Sequence, residues 1–434
     1  MCVVFDSWPV NFAHKLSVDQ AFFLSHSDNQ VRFVDLTLLV NNFLRLINSP
    51  AYSKFYRFKI FWRRLHFFLL NARFYRHRVL FYRSRYSKNL VDTDCINCNI
   101  DRQDILKLLD SNLKDIHGNQ EFTSRSLDKI VDELIVNAKK VGFLIHKFDL
   151  SKEIFYIFNG RFPLDGILEI LLRNHNCNLF YFEVGERPNS IEIFKNSPHN
   201  ILERRRIMQE FWDKYDNPNK QDIALQHLQN RISGKDPKSI FWTKNQLSYF
   251  PLDLPKNRKI ISFFLSTEGE LSAQNLDEML LPFGSQQEAL NFLLKNIDFK
   301  TWYLVIREHP SFNNFSETNN SAFDFSQYEN KVLLVSKHDK SSSLDLIKKS
   351  DLVIVYSSTI AADAVFLQKP TLILGFPKFA ANFHNPLSIK KISMALKEEF
   401  KPLISIRKLF TWALYSELGG RELNYCYLIK YKIH

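Results

Sequence analysis

Three consecutive hydroxyl residues, Ser357, Ser358 and Thr359, follow the apolar run Leu352–Tyr356. The run has the composition of a buried strand, and residues 360–368 have that of a short helix. A strand that leads into a hydroxyl-rich helix start offers hydroxyl and backbone N–H groups to a phosphate. The sequence therefore predicts a phosphate-binding turn at residues 357–359, which we call the hydroxyl turn. Capping of the helix is the structural alternative for the two serines.

Polar residues suited to the same phosphate follow two more predicted strands in the second half of the chain. They are Ser266, Thr267 and Glu268 after the run 260–265, and Arg307 and His309 after the run 302–306. Because ligands of open parallel sheets bind at the carboxyl ends of the strands, these residues are expected to converge on the hydroxyl turn. Arg307 would add charge-assisted bonds to phosphate oxygens, and His309 would bond or protonate a departing phosphate. A turn at His309 is the structural alternative.

Asp363 is the only carboxylate in the apolar helical segment IAADAVF. It lies one helical turn after Thr359 and therefore on the same face of the predicted helix. The alanines beside it permit a close approach, so Asp363 is expected to accept hydrogen bonds from ribose hydroxyls. The structural alternative is a partly exposed aspartate near the positive end of a helix.

The first half of the chain carries acidic and polar residues at the ends of its own predicted strands. They are Asp6, Asn159, Arg161, Glu183 and Glu186. An inverting group transfer onto a hydroxyl acceptor needs one general base to take the hydroxyl proton. Glu183 is the first choice for this base and Asp6 is the second, while Asn159 and Arg161 are expected to bind substrate. A structural role is the alternative for each.

Strand-like apolar runs alternate with helix-like segments in both halves, which is typical of an α/β fold with parallel sheets. The predicted strands are 2–5, 31–35, 154–158, 178–183, 260–265, 302–306, 331–336, 352–356 and 371–374. The predicted helices are 18–25, 38–46, 164–173, 286–296, 342–349 and 404–415. Apolar alternation also returns at 142–146, and residues 189–250 are predicted to be largely helical. The proline-containing and basic segment 251–259 indicates a linker between two domains.

The segment 54–88 contains eleven Lys and Arg residues, no Asp or Glu, and many aromatic residues at helical spacing. It lies within a predicted helical excursion, about 37–140, from the first α/β pattern. One interpretation is an amphipathic helical surface that lies on anionic lipid. A second is an ordinary basic helix whose aromatic face packs on the core. A third is a platform for single-stranded nucleic acid, which is the least favoured.

The length, composition and net charge of the whole chain limit the class of protein and the compartment to be expected. With 434 residues and 45% hydrophobic residues, the chain is expected to form two domains with cores of their own. The formal net charge of +12 indicates an anionic partner. Five irregularly spaced cysteines favour a reducing compartment. No apolar run is long enough to span a bilayer, and the N-terminus has no signal-peptide pattern. A cytoplasmic protein, peripheral on the inner membrane face, is therefore expected.

Three stretches resemble the capsule polysaccharide biosynthesis glycosyltransferases, the broad group with capsule Kdo transferases and distant glycerophosphotransferase relatives. The stretches are NGRFPLDGILEILLRNHNCNLFYFEVGERP, WYLVIREHP and SDLVIVYSSTIAADAVFLQKPTLILG. The resemblance implies a GT-B fold, with two Rossmann-like domains that face a central cleft. It implies an N-terminal acceptor domain at 1–250, a C-terminal nucleotide-sugar-binding domain at 251–405, and a last helix, within 406–434, that packs back on the first. The chain departs from the family at Asp363, where relatives often carry Glu.

The motifs and the resemblance together predict an inverting, metal-independent glycosyltransferase without a cofactor. Its expected partners are a nucleotide-sugar donor and a saccharide or lipid-linked acceptor of a growing surface polysaccharide, with an anionic membrane surface at 54–88 and no nucleic acid. In place of a metal, the hydroxyl turn, Arg307 and His309 would hold the phosphate. Two alternatives remain open at this point. One is a teichoic-acid-type phosphotransferase that uses a CDP-polyol, and the other is a non-catalytic protein that binds membranes or nucleic acid.

Overall fold

A computed structural model gives the fold of the chain. The residues it describes are 1–6, 16–21, 24, 30–36, 79–83, 100–117, 124–237, 243, 245–266, 281–309, 325–375 and 388–423. Two β-sheets, each flanked by helices, organise this part of the chain. The predicted α/β fold class with parallel sheets is therefore confirmed.

The first sheet contains seven strands within the described residues. They are β1 (Cys2–Asp6), β2 (Val31–Asp35), β3 (Val79–Arg83), β4 (Ile154–Phe158), β5 (Asn178–Val184), β6 (Ser190–Phe194) and β12 (Arg421–Glu422). Their order across the sheet is β12-β6-β5-β4-β1-β2-β3. The strands from β1 to β5 pair in parallel, and β6 pairs antiparallel with both β5 and β12. Residues 421–422 thus return the chain to the first sheet.

The second sheet contains five strands within the described residues, all of them parallel. They are β7 (Lys259–Phe264), β8 (Trp302–Arg307), β9 (Val332–Val335), β10 (Leu352–Val355) and β11 (Thr371–Ile373). Their order is β11-β10-β7-β8-β9. The chain builds outward from β7 to β9 on one side and then crosses over to β10 on the other. The topological switch point therefore lies between β7 and β10, which is where such sheets open a crevice for ligands.

Ten labelled helices connect and cover these strands in the described part of the chain. They are α1 (Arg102–His117), α2 (Ser124–Ile145), α3 (Pro163–Asn174), α4 (Ile201–Lys214), α5 (Lys220–Ile232), α6 (Gln286–Asn296), α7 (Ser343–Lys349), α8 (Ile360–Phe366), α9 (Ile389–Leu396) and α10 (Phe410–Leu418). Residues 16–21 and 24 are also helical. Local chemistry sets several of the helix starts. Ser285 and Ser342 cap α6 and α7 through their side chains, and Pro163 begins α3.

The strand β10 shows why its sequence is apolar throughout. Val353 and Val355 are buried in the core that also contains residues of α8 and α10. Leu352 and Ile354, which point to the other face, are buried with residues of α6 and α9. A strand covered on both faces needs apolar side chains at every position. The helices α4 and α5 also bury apolar residues in the first of these two cores. The domain boundaries inferred from the family resemblance stay predictions.

The structure confirms the nine predicted strands and corrects two segments that were assigned to helices. Residues 190–194, within a region predicted to be helical, form the antiparallel strand β6. Residues 79–83, within the predicted basic excursion, form β3 and pair in parallel with β2. The rest of 54–88 and the predicted helix 38–46 lie outside the described residues. The alternation at 142–146 is not a strand, because Ala138, Val141 and Ile145 continue the buried face of α2.

Candidate active site

The register of the second sheet brings three chain segments to one edge. Phe264 of β7 pairs with Arg307 of β8 on one side and with Val355 of β10 on the other. Two residues further along, the three strands therefore reach Ser266, His309 and Ser357 at the same level. These are residues that the sequence pattern predicted to converge, and the parallel register brings their backbones together at the switch point.

A hydrogen bond joins the two strands that flank the switch point. The hydroxyl oxygen of Ser266 accepts the backbone N–H of Ser357 at 3.2 Å. Ser266 is itself held on its backbone, because Gln286 of α6 accepts its N–H at 3.0 Å and donates to its carbonyl at 2.9 Å. Both Ser266 and Gln286 are buried. Ser266 therefore positions the hydroxyl turn from below.

The hydroxyl turn itself is short and partly exposed. Ser358 and Thr359 precede α8, which has only seven residues. Thr359 has helical backbone angles and makes no side-chain cap, and the Ser358 hydroxyl accepts the N–H of Ile360 at 3.3 Å. In so short a helix the peptide dipoles add little, so the chemistry of this turn rests on its hydroxyl and N–H groups.

An open cleft of about 1000 Å³, a volume that includes solvent space, lies beside this turn. The second sheet and its helices supply Phe264, Leu265, Arg307, Glu308, His309, Ser343, Ser358, Thr359, Ile360, Asp363, Trp412 and Ser416. The remaining lining residues are Glu186, His227, Arg231, Asp236, Thr243 and Gln246. The cleft thus joins the switch point of the second sheet to Glu186, which follows β5 of the first sheet.

Arg307 lies in the wall of the cleft as a brace for a neighbouring segment. Its guanidinium donates to the backbone carbonyls of Ser336, Asp339 and Ser341 at 3.3, 2.8 and 3.4 Å. The side chain is 4% exposed, and this burial lowers the pKa of Arg307. Two of its three nitrogen atoms are thus engaged with the segment that follows β9, and a contact of Arg307 with phosphate stays a prediction.

Asp363 lies in the cleft and is paired with Arg231 of α5. The Nε and Nη2 atoms of Arg231 donate to the two carboxylate oxygens of Asp363, each at 3.0 Å. Asp236 lies 3.5 Å from Nη1 of the same guanidinium. Burial alone would lower the pKa of Arg231, but the two aspartates outweigh it and raise the pKa. The predicted ribose contact of Asp363 would therefore use a carboxylate that also binds Arg231.

Glu186 forms an ion pair with a buried arginine. Arg204 of α4 contacts Glu186 at 3.1 Å and Glu192 of β6 at 3.7 Å. Burial opposes the charge of Arg204, but the nearby carboxylates raise its pKa. Burial, with Glu192 as the next cause, also raises the pKa of Tyr415. Glu186 is therefore held in the cleft wall by an arginine that stays charged.

The first choice for the base, Glu183, does not line the cleft, although its charge also interacts with Arg204. Its carboxylate accepts the side-chain N–H of Asn159 and the backbone N–H of Val184, the latter at 2.7 Å. Asn159 has a φ of 60° and also contacts His199 Nε2 at 2.8 Å. Burial raises the pKa of Glu183. Asn159 thus adopts the left-handed conformation, which asparagine tolerates better than most residues, and links Glu183 to His199 at the end of β4.

The predicted site residues fall into three groups in the structure. Five of them line the cleft, namely Arg307, His309, Ser358, Thr359 and Asp363. Six others do not line it, namely Asp6, Asn159, Arg161, Glu183, Ser266 and Ser357. Thr267 and Glu268 lie outside the described residues. Asp6 is buried at the end of β1, where the Ser17 hydroxyl lies 3.5 Å from its carboxylate.

Arg231 and Trp412 line the cleft but were not among the predicted site residues, and Glu186 was considered but not chosen. Trp412 covers the guanidinium of Arg231 at 5.2 Å and packs edge-on against His227. His227 in turn contacts Glu417 at 2.9 Å. These residues lie on helices far from the motifs, so no local pattern marks them. For Glu186 the signal was present, because it follows a strand in the motif 159–188.

Two further observations bear on partners. No helix among the described residues is long and apolar enough to cross a membrane. Within the same residues no group of three or more His, Cys, Asp and Glu side chains is arranged to hold a metal ion. Independence from metals and cofactors stays a prediction.

The family model for capsule polysaccharide biosynthesis proteins matches residues 202–382. The resemblance to this family is confirmed over that part of the chain. It contains two of the three motifs that carried the prediction, WYLVIREHP and SDLVIVYSSTIAADAVFLQKPTLILG, and most of the residues that line the cleft. Curated proteins give no match to the chain.

The solved structures that match this chain include two transferases and a polymerase. The KpsC β-Kdo 2,4 transferase of Thermosulfurimonas dismutans is 13% identical, with 60% of this chain and 78% of that chain covered and a TM-score of 0.39. The KpsC β-Kdo 2,7 transferase of the same organism is 15% identical, with 68% and 88% covered and a TM-score of 0.38. The wall teichoic acid polymerase TagF is 12% identical, with 73% and 88% covered and a TM-score of 0.25.

Proposed function

We propose that the protein is a GT-B glycosyltransferase that moves a sugar from a nucleotide-activated donor to a growing capsular or other surface polysaccharide. The observation that carries this proposal is the cleft at the switch point of the second sheet. There the hydroxyls of Ser358 and Thr359, the imidazole of His309, the guanidinium of Arg231 and the carboxylate of Glu186 line one open space. Groups that can bind an anion thus share a cleft with a candidate base, and the match to the capsule polysaccharide family supports the same class.

The donor's phosphate would bind at the hydroxyl turn. Ser358 and Thr359 offer hydroxyl groups there, and His309 follows the neighbouring strand in the same cleft. Asp363 would accept a ribose hydroxyl. Each of its oxygens takes one bond from Arg231, and a carboxylate oxygen has a second lone pair for a further donor.

The reaction we propose is an inverting displacement at the anomeric carbon. The acceptor hydroxyl gives its proton to a carboxylate as its oxygen bonds the anomeric carbon. The bond from that carbon to the phosphate oxygen breaks, and the phosphate keeps the electron pair and is stabilised by the hydroxyls and by His309. Glu186 is our preferred base because it lines the cleft. Glu183 and Asp6, the first choices from the sequence, are the alternatives to test beside it.

The acceptor is expected to be a saccharide, free or linked to lipid, at the cytoplasmic face of a membrane. The eleven basic residues within 54–88 favour contact with an anionic membrane surface. Vesicles that contain anionic lipid should retain the protein at low salt, and neutral vesicles should not. Equal retention by both kinds of vesicle would contradict the membrane contact and leave the proposed transfer intact.

The test of function is a donor panel. Purified protein is incubated with CMP-, UDP-, GDP- and CDP-linked donors and with polysaccharide acceptors, and the released nucleotide and the extended acceptor are measured. Transfer of a sugar with release of one nucleotide supports the proposal. Transfer of a polyol phosphate from a CDP-polyol with release of CMP would assign the protein to the phosphotransferases instead. No turnover with any donor would contradict an enzyme of either kind.

A variant set then identifies the base. Loss of a general base typically costs 10²- to 10⁴-fold in rate. Glu186→Gln is expected to lose activity in that range, while Glu183→Gln and Glu210→Gln keep most of it. Glu210 is a matched control, since it is a glutamate of α4 that pairs with Arg206 and does not line the cleft. A Glu186→Gln variant with wild-type turnover would contradict this role.

A further inference from the structure

Arg231 is a cation that lines the cleft and was not among the site residues predicted from the sequence. Its side chain is 10% exposed and nevertheless lines the open space beside the hydroxyl turn. Three neighbours fix the guanidinium: Asp363 on one edge, Asp236 near a second edge, and the ring of Trp412 against its face. The plane of this guanidinium therefore has a defined direction.

The contacts of Arg231 leave part of its hydrogen-bonding capacity open. A guanidinium carries five N–H donors. Asp363 takes one from Nε and one from Nη2, and Asp236 lies near Nη1 at 3.5 Å. Two N–H groups, one on Nη1 and one on Nη2, thus have no acceptor among the described residues. Adjacent N–H groups of this kind form the fork that binds two oxygens of one phosphate.

The open fork lies close to the hydroxyl turn. Asp363 and Thr359 are four residues apart at the start of α8, so their side chains are neighbours on the helix surface. Arg231, which is bonded to Asp363, therefore lies within about one helical turn of the hydroxyls of Ser358 and Thr359. All four residues line the same cleft. A diphosphate that contacts the hydroxyls would have its next oxygens at the guanidinium.

Stability alone does not explain why Arg231 is buried with Asp363 and Asp236. Removing two charges from water costs as much as a buried ion pair returns, so apolar residues commonly serve a fold equally well. A fixed guanidinium with open N–H groups has a use in binding, because no side-chain entropy is lost when the anion arrives. The two aspartates add negative charge near that anion, so they orient the arginine at some expense of affinity.

From these observations we infer that Arg231 binds the phosphate of the donor and that Asp363 and Asp236 are positioning residues for its guanidinium. This inference rests on the proposed function, because it assigns a ligand to the same cleft. It also gives Asp363 a role beyond the ribose contact, namely to direct the arginine. The ligand class is a phosphate or diphosphate ester, recognised by the open fork together with the hydroxyls of Ser358 and Thr359.

Inorganic pyrophosphate is the probe, and isothermal titration is the measurement. Wild-type protein is expected to bind pyrophosphate, and Arg231→Gln is expected to bind it at least about tenfold more weakly. Arg231→Lys keeps the charge but loses the fork, and its affinity is expected to lie between the two. Arg206→Gln is the matched control, because Arg206 pairs with two glutamates on α4 outside the cleft. Its affinity should equal that of the wild type.

The variant Asp363→Asn distinguishes a positioning role of Asp363 from that of a purely structural ion pair. The variant keeps the shape of the side chain, removes a negative charge near the phosphate and weakens the hold on the guanidinium. In high salt, which screens the effect of the removed charge, pyrophosphate binding is expected to become about three- to tenfold weaker, because the guanidinium loses its fixed direction. If Arg231→Gln fails to fold because two aspartates lose their partner, Arg231→Lys and Asp363→Asn still decide the matter. Unchanged or tighter binding by Asp363→Asn in high salt, or unchanged binding by Arg231→Lys, would overturn the inference.

The donor panel on the wild type separates this inference from the proposed function. Sugar transfer by the wild type, together with equal pyrophosphate binding by the wild type and Arg231→Gln, overturns the inference alone. Pyrophosphate binding that depends on Arg231, with no sugar transfer from any donor, overturns the proposed function alone. A wild-type protein that neither binds pyrophosphate nor turns over a donor overturns both.

Discussion

Arg307→Met tests whether this arginine braces the cleft or binds its ligand. In the structure the guanidinium donates to the carbonyls of Ser336, Asp339 and Ser341. Methionine has a similar length but no hydrogen-bond donors. The variant therefore leaves three carbonyls without the partner that orders the segment after β9.

The expected loss follows from the lengths of these bonds. The 2.8 Å bond to Asp339 is expected to contribute about 1.5–2 kcal/mol, and the bonds at 3.3 and 3.4 Å about 0.5–1 kcal/mol each. The burial that lowers the pKa of Arg307 opposes its charge, so methionine recovers part of this sum. The free energy of unfolding is expected to fall by about 2–3 kcal/mol.

Two measurements read this change. Urea unfolding followed by circular dichroism gives the global loss. Hydrogen exchange of the amides in 336–341 gives the local one, and rates about 30- to 150-fold faster correspond to the same free energy. Arg258→Met is the matched control, because its guanidinium makes one bond of 2.8 Å, to the carbonyl of Asn330. It is expected to lose about 1 kcal/mol or less.

A different pair of results would contradict the bracing role of Arg307. If Arg307→Met keeps the stability and the exchange rates of the wild type but no longer binds nucleotide, the brace is wrong. Arg307 would then be a ligand of the phosphate, as the sequence pattern predicted.

Two further predictions concern the networks beside the cleft. Burial raises the pKa of Glu183 above its ordinary value, so the folded protein holds this proton more tightly than the unfolded chain does. The free energy of unfolding should therefore fall as the pH rises from about 4.5 through the raised pKa, and Glu183→Gln should lack that fall. Urea titrations between pH 4 and pH 8 test this, and parallel curves for the two proteins would contradict it. Ser266→Ala removes the hydroxyl that accepts the N–H of Ser357, so about 1–2 kcal/mol of stability and several-fold of donor affinity should be lost. Unchanged thermal unfolding and an unchanged KM for the donor would show that Ser266 does not position the turn.

The sequence was most informative where both faces of a strand are buried. The run Leu352–Val355 is apolar at every position because each face of β10 meets a core, and the polar residues after it had to lie at the sheet edge. The same reasoning predicted that Ser266, His309 and Ser357 would meet, since a parallel register leaves few other arrangements.

Prediction was weakest where residues distant in sequence form one group. Arg231 and Asp363 are 132 positions apart, and no local pattern in α5 marks an arginine that faces α8. The strand β6 was missed although SIEIF alternates in polarity, because the charged segments around it favoured a helix. Glu186 was passed over for Glu183 because strand ends define an edge of the sheet but not the direction of each side chain.

The central claim is that the cleft beside Ser358 and Arg231 holds an activated donor whose sugar is transferred. Its most direct test is nucleotide release and acceptor extension by the wild type and by Arg231→Gln across the panel of CMP-, UDP-, GDP- and CDP-linked donors. The account predicts sugar transfer from one of these donors by the wild type and at least about a tenfold loss of kcat/KM for the variant. A protein that releases no nucleotide from any donor, in the presence of polysaccharide acceptors, would contradict the account.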